Sequence, residues 1–247
     1  MRVIPLASSS KGNAYVVQQD GVSVLIDCGV NLKTLKGLLA EKDLEPTFEA
    51  VLVTHSHSDH TKGLGPLLHK FPDLPVYANA MTAETVACQE KLSDSAFVCF
   101  ENGQDFEIGP FAVSAFSIPH DTSDPVGYLI RGDETYFHGT DIGTPLDSVG
   151  VHLAEADFAT LESNHDPVML RTSGRPPSLI QRIAGPRGHL SNDQACELVS
   201  KFASTRLKRL FLAHLSQDCN APHLALAAMR ATLDRMGRPD VEVEVLS

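Results

Sequence analysis

The 247-residue sequence has no tryptophan, little positive charge and no long apolar run. A helix crossing a bilayer needs about 20 consecutive apolar residues, so the missing run excludes a spanning segment. The opening Met1-Arg2-Val3-Ile4-Pro5-Leu6 also lacks the apolar core and cleavage site of a secretory leader. A cytoplasmic protein with no membrane partner is therefore expected. Cysteine is sparse: Cys28, Cys88, Cys99, Cys196 and Cys219 are odd in number, widely spaced and form no C-x-x-C. That pattern argues against a disulfide framework and a thiolate zinc knuckle, and leaves buried, inert thiols as the expectation. The 20 basic residues stand against 31 acidic ones, a net charge of -11 that repels polyanions unless charge is locally segregated.

What is present is an ordinary globular composition, 43% hydrophobic and 21% charged. β-rich runs recur at Val22 to Asp27, Ala50 to Thr54, Phe97 to Phe100, Phe111 to Ile118, Val126 to Arg131, Thr135 to His138, Asp157 to Glu162 and Arg209 to Ala213. Helical periodicity marks Leu32 to Glu41, Lys62 to His69, Thr82 to Lys91, Asp193 to Ser204 and Leu224 to Met236. Ser191, with Gln194 three residues on, reads as a capping box opening the fourth helix. The mixing of strands and helices, with no linker or repeat, predicts a single α/β domain over residues 1–247. Pro167, Pro176, Pro177, Pro186 and three glycines predict a long loop from Asn164 to Leu190.

The eleven histidines are unevenly spread. His55-Ser56-His57-Ser58-Asp59-His60 follows the apolar run Ala50 to Val53, so four donors crowd into six residues where a buried strand meets a loop. Mixed nitrogen and oxygen donors suit zinc, manganese or iron. Further donors close later strands: His120 after Phe111 to Pro119, Asp141 after Thr135 to Thr140, and His214 after Leu210 to Ala213. Asp141 is the candidate for a carboxylate shared by two metal ions, which together acidify a water into a nucleophile. His69, His138, His152 and His223 are expected to be structural or superficial.

These residues resemble the metallo-β-lactamase superfamily, whose H-x-H-x-D-H signature His55 to His60 matches in full. The third histidine, the Gly139-Thr140-Asp141 turn and the last histidine follow in the family's order. The resemblance covers nearly the whole chain and implies a four-layer αββα sandwich (metallo-β-lactamase fold). It also implies two divalent ions, one on His55, His57 and His120 and the other on Asp59, His60 and His214, with Asp141 bridging. The segments Leu6 to Ala14, Leu161 to Asp166, Gly188 to Asn192 and Ala213 to Ser216 are similar to the YycJ/WalJ-type branch, which is associated with exonuclease-like action on DNA. Homodimerisation is a further expectation from relatives.

That branch implies cleavage of phosphodiester bonds in nucleic acid, with DNA as partner and substrate. Asp59, Glu162 and His189 are the expected catalytic groups. Glu162 and Gly188-His189 resemble the glutamate and histidine loop of tRNA 3′-processing relatives, where the histidine protonates the leaving oxygen. Chemistry asks for the same parts: charge against the phosphoryl oxygens, an activated water and a proton for the departing alkoxide. Ser8, Lys11 and Asn13, in a small polar segment whose amides suit an anion, are expected substrate contacts, with Asn164, His165 and Arg187. From Arg171 to Asn192 there are four arginines and no acid, and Arg206, Lys208 and Arg209 form a second basic cluster before His214. The alternatives are a small-molecule phosphodiesterase, a thioester hydrolase, or a regulatory protein that keeps the metal site without catalysis.

Overall fold

The computed structural model describes residues 1–246. In chain order the elements begin β1 (Arg2–Ser9), β2 (Gly12–Gln19), β3 (Val22–Ile26), α1 (Leu32–Glu41), β4 (Ala50–Leu52), α2 (Ser58–Thr61) and α3 (Leu64–Lys70). They continue with β5 (Val76–Asn79), α4 (Ala80–Glu90), β6 (Phe97–Phe100), β7 (Asp105–Ile108), β8 (Phe111–Ser117), β9 (Val126–Arg131), β10 (Thr135–Gly139) and α5 (Asp147–Leu153). The last are β11 (Phe158–Glu162), α6 (Pro167–Thr172), α7 (Pro177–Ile183), α8 (Asn192–Phe202), β12 (Arg209–Ala213), α9 (Pro222–Arg235) and β13 (Glu242–Val245). Among the described residues no helix is long and apolar enough to cross a membrane.

The chain divides into two compact units, the first holding residues 1–115, 122–126 and 131–133, the second residues 116–121, 127–130 and 134–247. In the first, six strands run in the order β1-β2-β3-β4-β5-β6. β1, β2 and β3 are antiparallel neighbours, whereas β3 to β6 pair in parallel. β4 is buried at every position, so it carries an unbroken apolar run rather than an alternating one, as a strand covered on both faces must. Leu25, Val51 and Val76 from this sheet, with Val53 just past β4, pack with Leu35 and Leu39 of α1 and Leu64 and Leu67 of α3.

The second sheet has the order β13-β12-β11-β10-β9-β8-β7, and the division between units crosses β8 and β9. β10 to β13 pair in parallel, so the residues that follow β10, β11 and β12 leave the same edge of the sheet. Phe137, Leu161 and Leu212 pack there with Leu198 and Val199 of α8 and Met229 of α9. The capping box opens α8 as the sequence pattern predicts: the Gln194 amide donates to Ser191 Oγ at 3.2 Å, and the Ser191 amide donates to Gln194 Oε1 at 2.9 Å.

One expectation is corrected. Residues 164–190 are not a continuous loop, because Pro167 and Pro177 stand in the first turns of α6 and α7. There the missing proline N–H has no helical partner to lose and the fixed φ favours entry into the helix. The polar Ser8 to Asn13 segment turns the β1–β2 hairpin, with Ser8 paired to Asn13 and Ser9 to Gly12. The helix expected over Lys62 to His69 is α3, which starts at Leu64 and ends at Lys70, and the short α2 precedes it.

Candidate metal centre

In the first unit the apolar strand β4 delivers its polar continuation to the sheet edge, and a carboxylate arriving from β3 organises it. Asp27 is fully buried and accepts hydrogen bonds from the Thr54 amide (2.9 Å) and the Thr54 hydroxyl. It also accepts from His60 Nδ1 at 2.7 Å. His55 Nδ1 lies 3.0 Å from Thr54 Oγ1. Each contact fixes Nδ1, so that Nε2 of His55 and of His60 is the nitrogen that could hold an ion, the usual role of partners behind a metal-binding imidazole. His57 presents its other nitrogen: Nδ1 lies 3.2 Å from His55 Nε2. Two ligands about 2.0–2.1 Å from one ion at a near-tetrahedral angle have that spacing.

Asp59 and His60 are set by α2 and by the β1–β2 hairpin. The carboxamide of Asn13, itself fully buried, donates to Asp59 Oδ2 at 3.3 Å and to the Ser9 carbonyl at 3.0 Å. Asn13 Nδ2 is also 3.0 Å from His60 Nε2. The approach requires Gly29, where an added Cβ would fall 1.6 Å from the Asp59 carbonyl oxygen. Beside this cluster, burial and then the Asp27 charge push the Cys28 thiol up to about 12, so it stays protonated and supplies no thiolate ligand.

In the second unit Glu162, at the end of β11, is the hub. Its Oε1 accepts from His189 Nδ1 at 2.8 Å and from His214 Nδ1 at 2.9 Å. Its Oε2 accepts the amides of Ile142 (2.8 Å) and Leu190 (3.0 Å). Full burial alone would raise the Glu162 carboxyl, but the charge of His189 and the two imidazole hydrogen bonds outweigh it and hold the group at about 2. Burial would lower His189 in turn, yet the Glu162 anion more than offsets it and the ring is held above the ordinary histidine range. His120 Nδ1 donates to the Gly188 carbonyl at 3.0 Å, leaving Nε2 on the side of Asp121 and Asp141. Asp141 Oδ1 is 3.4 Å from His214 Nδ1, 3.6 Å from His189 Nδ1 and 3.7 Å from His120 Nε2. One ligand atom from each of Asp141, Glu162, His189 and His214 fits within 4.8 Å of the others.

The structure thus gathers His55, His57, Asp59 and His60 in one unit and His120, Asp141, Glu162, His189 and His214 in the other. Oxygen donors and imidazoles whose far nitrogens are already fixed suit a divalent transition ion. Of the expected substrate contacts, Lys11 and Arg187 are exposed, whereas Ser8, Asn13, Asn164 and His165 are buried. Asn164 donates to the His214 carbonyl at 2.8 Å, and Ser8 accepts from the Tyr15 hydroxyl at 2.8 Å. The basic cluster before His214 is also corrected. Arg206 pairs with Asp157, Lys208 with Glu134 and Arg209 with Glu242, all at the start of β12, a whole strand away from the histidine at its end. Within the arginine-rich segment Arg175 pairs with Asp218 and Arg182 with Asp121.

Sequence reasoning missed Asp27 and Thr54, although a signal existed. Asp27, Asp141 and His214 each follow an apolar strand and share a left-handed backbone, with φ of 58°, 58° and 56°. Such conformations in non-glycine residues collect at functional sites.

A mixed α/β fold with imidazoles and carboxylates gathered at strand ends defines a metal-binding protein of the metallo-β-lactamase class. Residues 23–215 match the family described as beta-lactamase superfamily domain, and the chain belongs to that superfamily, within its YycJ/WalJ-type branch. Exodeoxyribonuclease WalJ of Streptococcus pneumoniae (strain D39) is 32% identical over 245 residues, covering 97% of this chain and 90% of the relative. Exodeoxyribonuclease YycJ of Bacillus anthracis is 34% identical over 239 residues, covering 94% and 89%. The metallo-beta-lactamase fold protein YhfI from Bacillus subtilis superimposes with a TM-score of 0.73 at 19% identity, covering 99% of this chain and 96% of that one. That superposition shows the fold.

Proposed function

We propose that this chain is a divalent-metal-dependent nuclease that hydrolyses phosphodiester bonds of DNA from an end, with its two units acting as one domain. The ligand order of the superfamily supports one ion on His55, His57 and His120 and a second on Asp59, His60 and His214, with Asp141 between them. Zinc and manganese are the ions this donor set favours, and iron is chemically acceptable. When bound, such ions supply positive charge against the phosphoryl oxygens and acidify water.

The observation that carries the reading is the sharing of one carboxylate oxygen between His189 and His214. Glu162 fixes the ring of a ligand and, with the same Oε1, holds a second imidazole that is not in the ligand set. The His189 side chain is 22% exposed while that of Glu162 is 0% exposed, so His189 alone of this pair reaches a substrate. With Nδ1–H on Glu162, a protonated His189 offers the proton at Nε2 to the departing alkoxide. A thioester releases a stable thiolate that needs no such proton, so the pair favours a phosphodiester. Asn13 and Asn164, being buried, position Asp59 and the His214 backbone rather than touch substrate. Lys11 and Arg187, both exposed, are the cationic groups that would meet a phosphate, although Arg187 Nε already donates to the His120 carbonyl at 2.9 Å.

Turnover of 5′-labelled and 3′-labelled DNA strands by protein loaded with zinc or manganese, beside His57→Ala, a simple phosphodiester and a thioester, tests this. Metal-dependent shortening that His57→Ala lacks is the expected result, and cleavage confined to the small esters sinks the nuclease reading. Asp27→Asn is expected to weaken metal affinity by about 10–100-fold, because the neutral amide no longer strengthens His60 as a donor. Competition with a chromophoric chelator measures the change.

A further inference from the structure

Beyond the Glu162 hub, three segments of the second unit meet in a ring of buried side chains that serves none of the roles given so far. Ser163 Oγ donates to Asn192 Oδ1 at 2.7 Å. The two carboxamides bind each other: Asn192 Nδ2 donates to Asn220 Oδ1 at 3.0 Å, and Asn220 Nδ2 donates to Asn192 Oδ1 at 2.9 Å. Asn220 Nδ2 also donates to the Ser163 carbonyl at 2.9 Å, and Asn220 Oδ1 accepts the Ala221 amide at 2.9 Å. All three side chains belong to buried residues. Buried polar groups are costly unless paired, and a fully paired ring admits one arrangement of the segments that carry it. Asn192 is not needed to open α8, because Ser191 and Gln194 already form its capping box.

The arrangement held in this way is that of the proton donor and its partner. Ser163 follows Glu162 directly, Asn192 lies three residues beyond His189, and Asn220 lies six beyond His214. Backbone bonds join the same segments: the Asn164 amide donates to the Leu190 carbonyl and the Asn192 amide to the His165 carbonyl, both at 2.9 Å. On the other side of His189, α7 contains no buried residue. The firm anchor of the His189 segment is therefore downstream of the ring. We propose that Asn192 is a positioning residue which, through Ser163 and Asn220, holds His189 where Nδ1 meets Glu162 and Nε2 faces the departing alkoxide. This rests on the proposed function, in which His189 gives that proton, and adds the residue that keeps the donor in place. A reacting group misplaced by about 1 Å loses about 10²-fold in rate.

Leaving-group chemistry separates such positioning from general damage to the site. An alkoxide departing from a DNA strand needs the proton, whereas the nitrophenolate departing from bis(4-nitrophenyl) phosphate is stable without it. In the metal-loaded enzyme, Asn192→Ala is expected to lower kcat on a single-stranded oligodeoxynucleotide by about 10–100-fold, with KM within about twofold. Turnover of the nitrophenyl diester is expected to stay within about twofold, at unchanged metal content. Ser163→Ala deletes one hydroxyl and leaves the amide pair intact, so the same selective loss is expected at about 3–10-fold. That milder variant decides the outcome where Asn192→Ala fails to fold. Added to His189→Ala, Asn192→Ala is expected to cost nothing further, because the group it positions is gone. Equal losses on both substrates, loss of metal, an independent further loss in the His189→Ala background, or unchanged oligonucleotide turnover overturns the proposal. A wild type that cleaves the nitrophenyl diester and not the oligonucleotide defeats the nuclease reading, and this proposal with it. A failure confined to the variants defeats this proposal alone.

Discussion

Replacing His189 with alanine is expected to lower turnover of a DNA strand by about 10²–10⁴-fold, the usual contribution of a placed general acid. Metal content is expected to stay at the wild-type level, since the ring is absent from the ligand set. The sign of the pH dependence follows from its partner. The Glu162 anion 2.8 Å away holds the proton on His189 to higher pH than a free histidine keeps it. Activity that needs this proton is full below the ordinary histidine range and falls as pH rises through the raised value. The alkaline limb of the wild-type kcat profile is therefore expected to vanish in His189→Ala. A variant with full turnover and full metal content would remove His189 from the mechanism.

Glu162→Gln is expected to disturb stability and pH dependence together, because one residue serves four partners. Its oxygens accept from two imidazoles and from the amides of Ile142 and Leu190 in a fully buried position. A glutamine has one acceptor oxygen and an NH2 that meets donors, so at least one buried donor loses its acceptor, at a cost of about 1–3 kcal/mol. Urea unfolding at neutral pH measures that loss. Linkage gives the window: a carboxylate whose folded value lies at about 2 stabilises the fold above the unfolded glutamate value, and that contribution disappears as pH falls toward 2. The stability gap between wild type and Glu162→Gln is therefore expected to narrow in acid. The alkaline limb from His189 is expected to move to lower pH in the same variant, since the charge that raised it is gone. Unchanged limb and unchanged stability together would contradict the hub role.

Much of the fold and of the donor set is legible in the residues themselves. β3, β6, β9 and β12 stand where apolar runs predict them, because each is bounded by polar or turn residues on both sides. β1 is not legible in the sequence, because its residues are mostly half-buried and end in a serine run, so no apolar stripe marks it. β13 alternates Glu-Val-Glu-Val, a clear two-residue period with valines inward, and was within reach of the same reasoning. The prolines of 164–190 point to a loop because a proline forbids a helix interior, yet it is welcome in a first turn, where Pro167 and Pro177 stand.

The donors could be found because each follows a strand, and parallel strands bring their ends to one edge. Asp27 and Thr54 lie in the same neighbourhood but act through hydrogen bonds between segments distant in sequence, such as Asp27 to His60. Spacing alone does not reveal such bonds. Charge was the least legible property. Arg206, Lys208 and Arg209 lie close to His214 in sequence, yet the length of β12 and three acidic partners separate them from it.

The proposed reaction, cleavage of DNA with two divalent ions bound, requires that cleavage follow metal loading. Chelated protein reloaded with zinc or manganese in measured increments, with DNA cleavage followed at each step, tests it most directly. Cleavage that is absent without metal and saturates near about two ions per chain is the predicted result. Cleavage that survives chelation, or metal binding near stoichiometry with no cleavage of DNA at any loading, would contradict it.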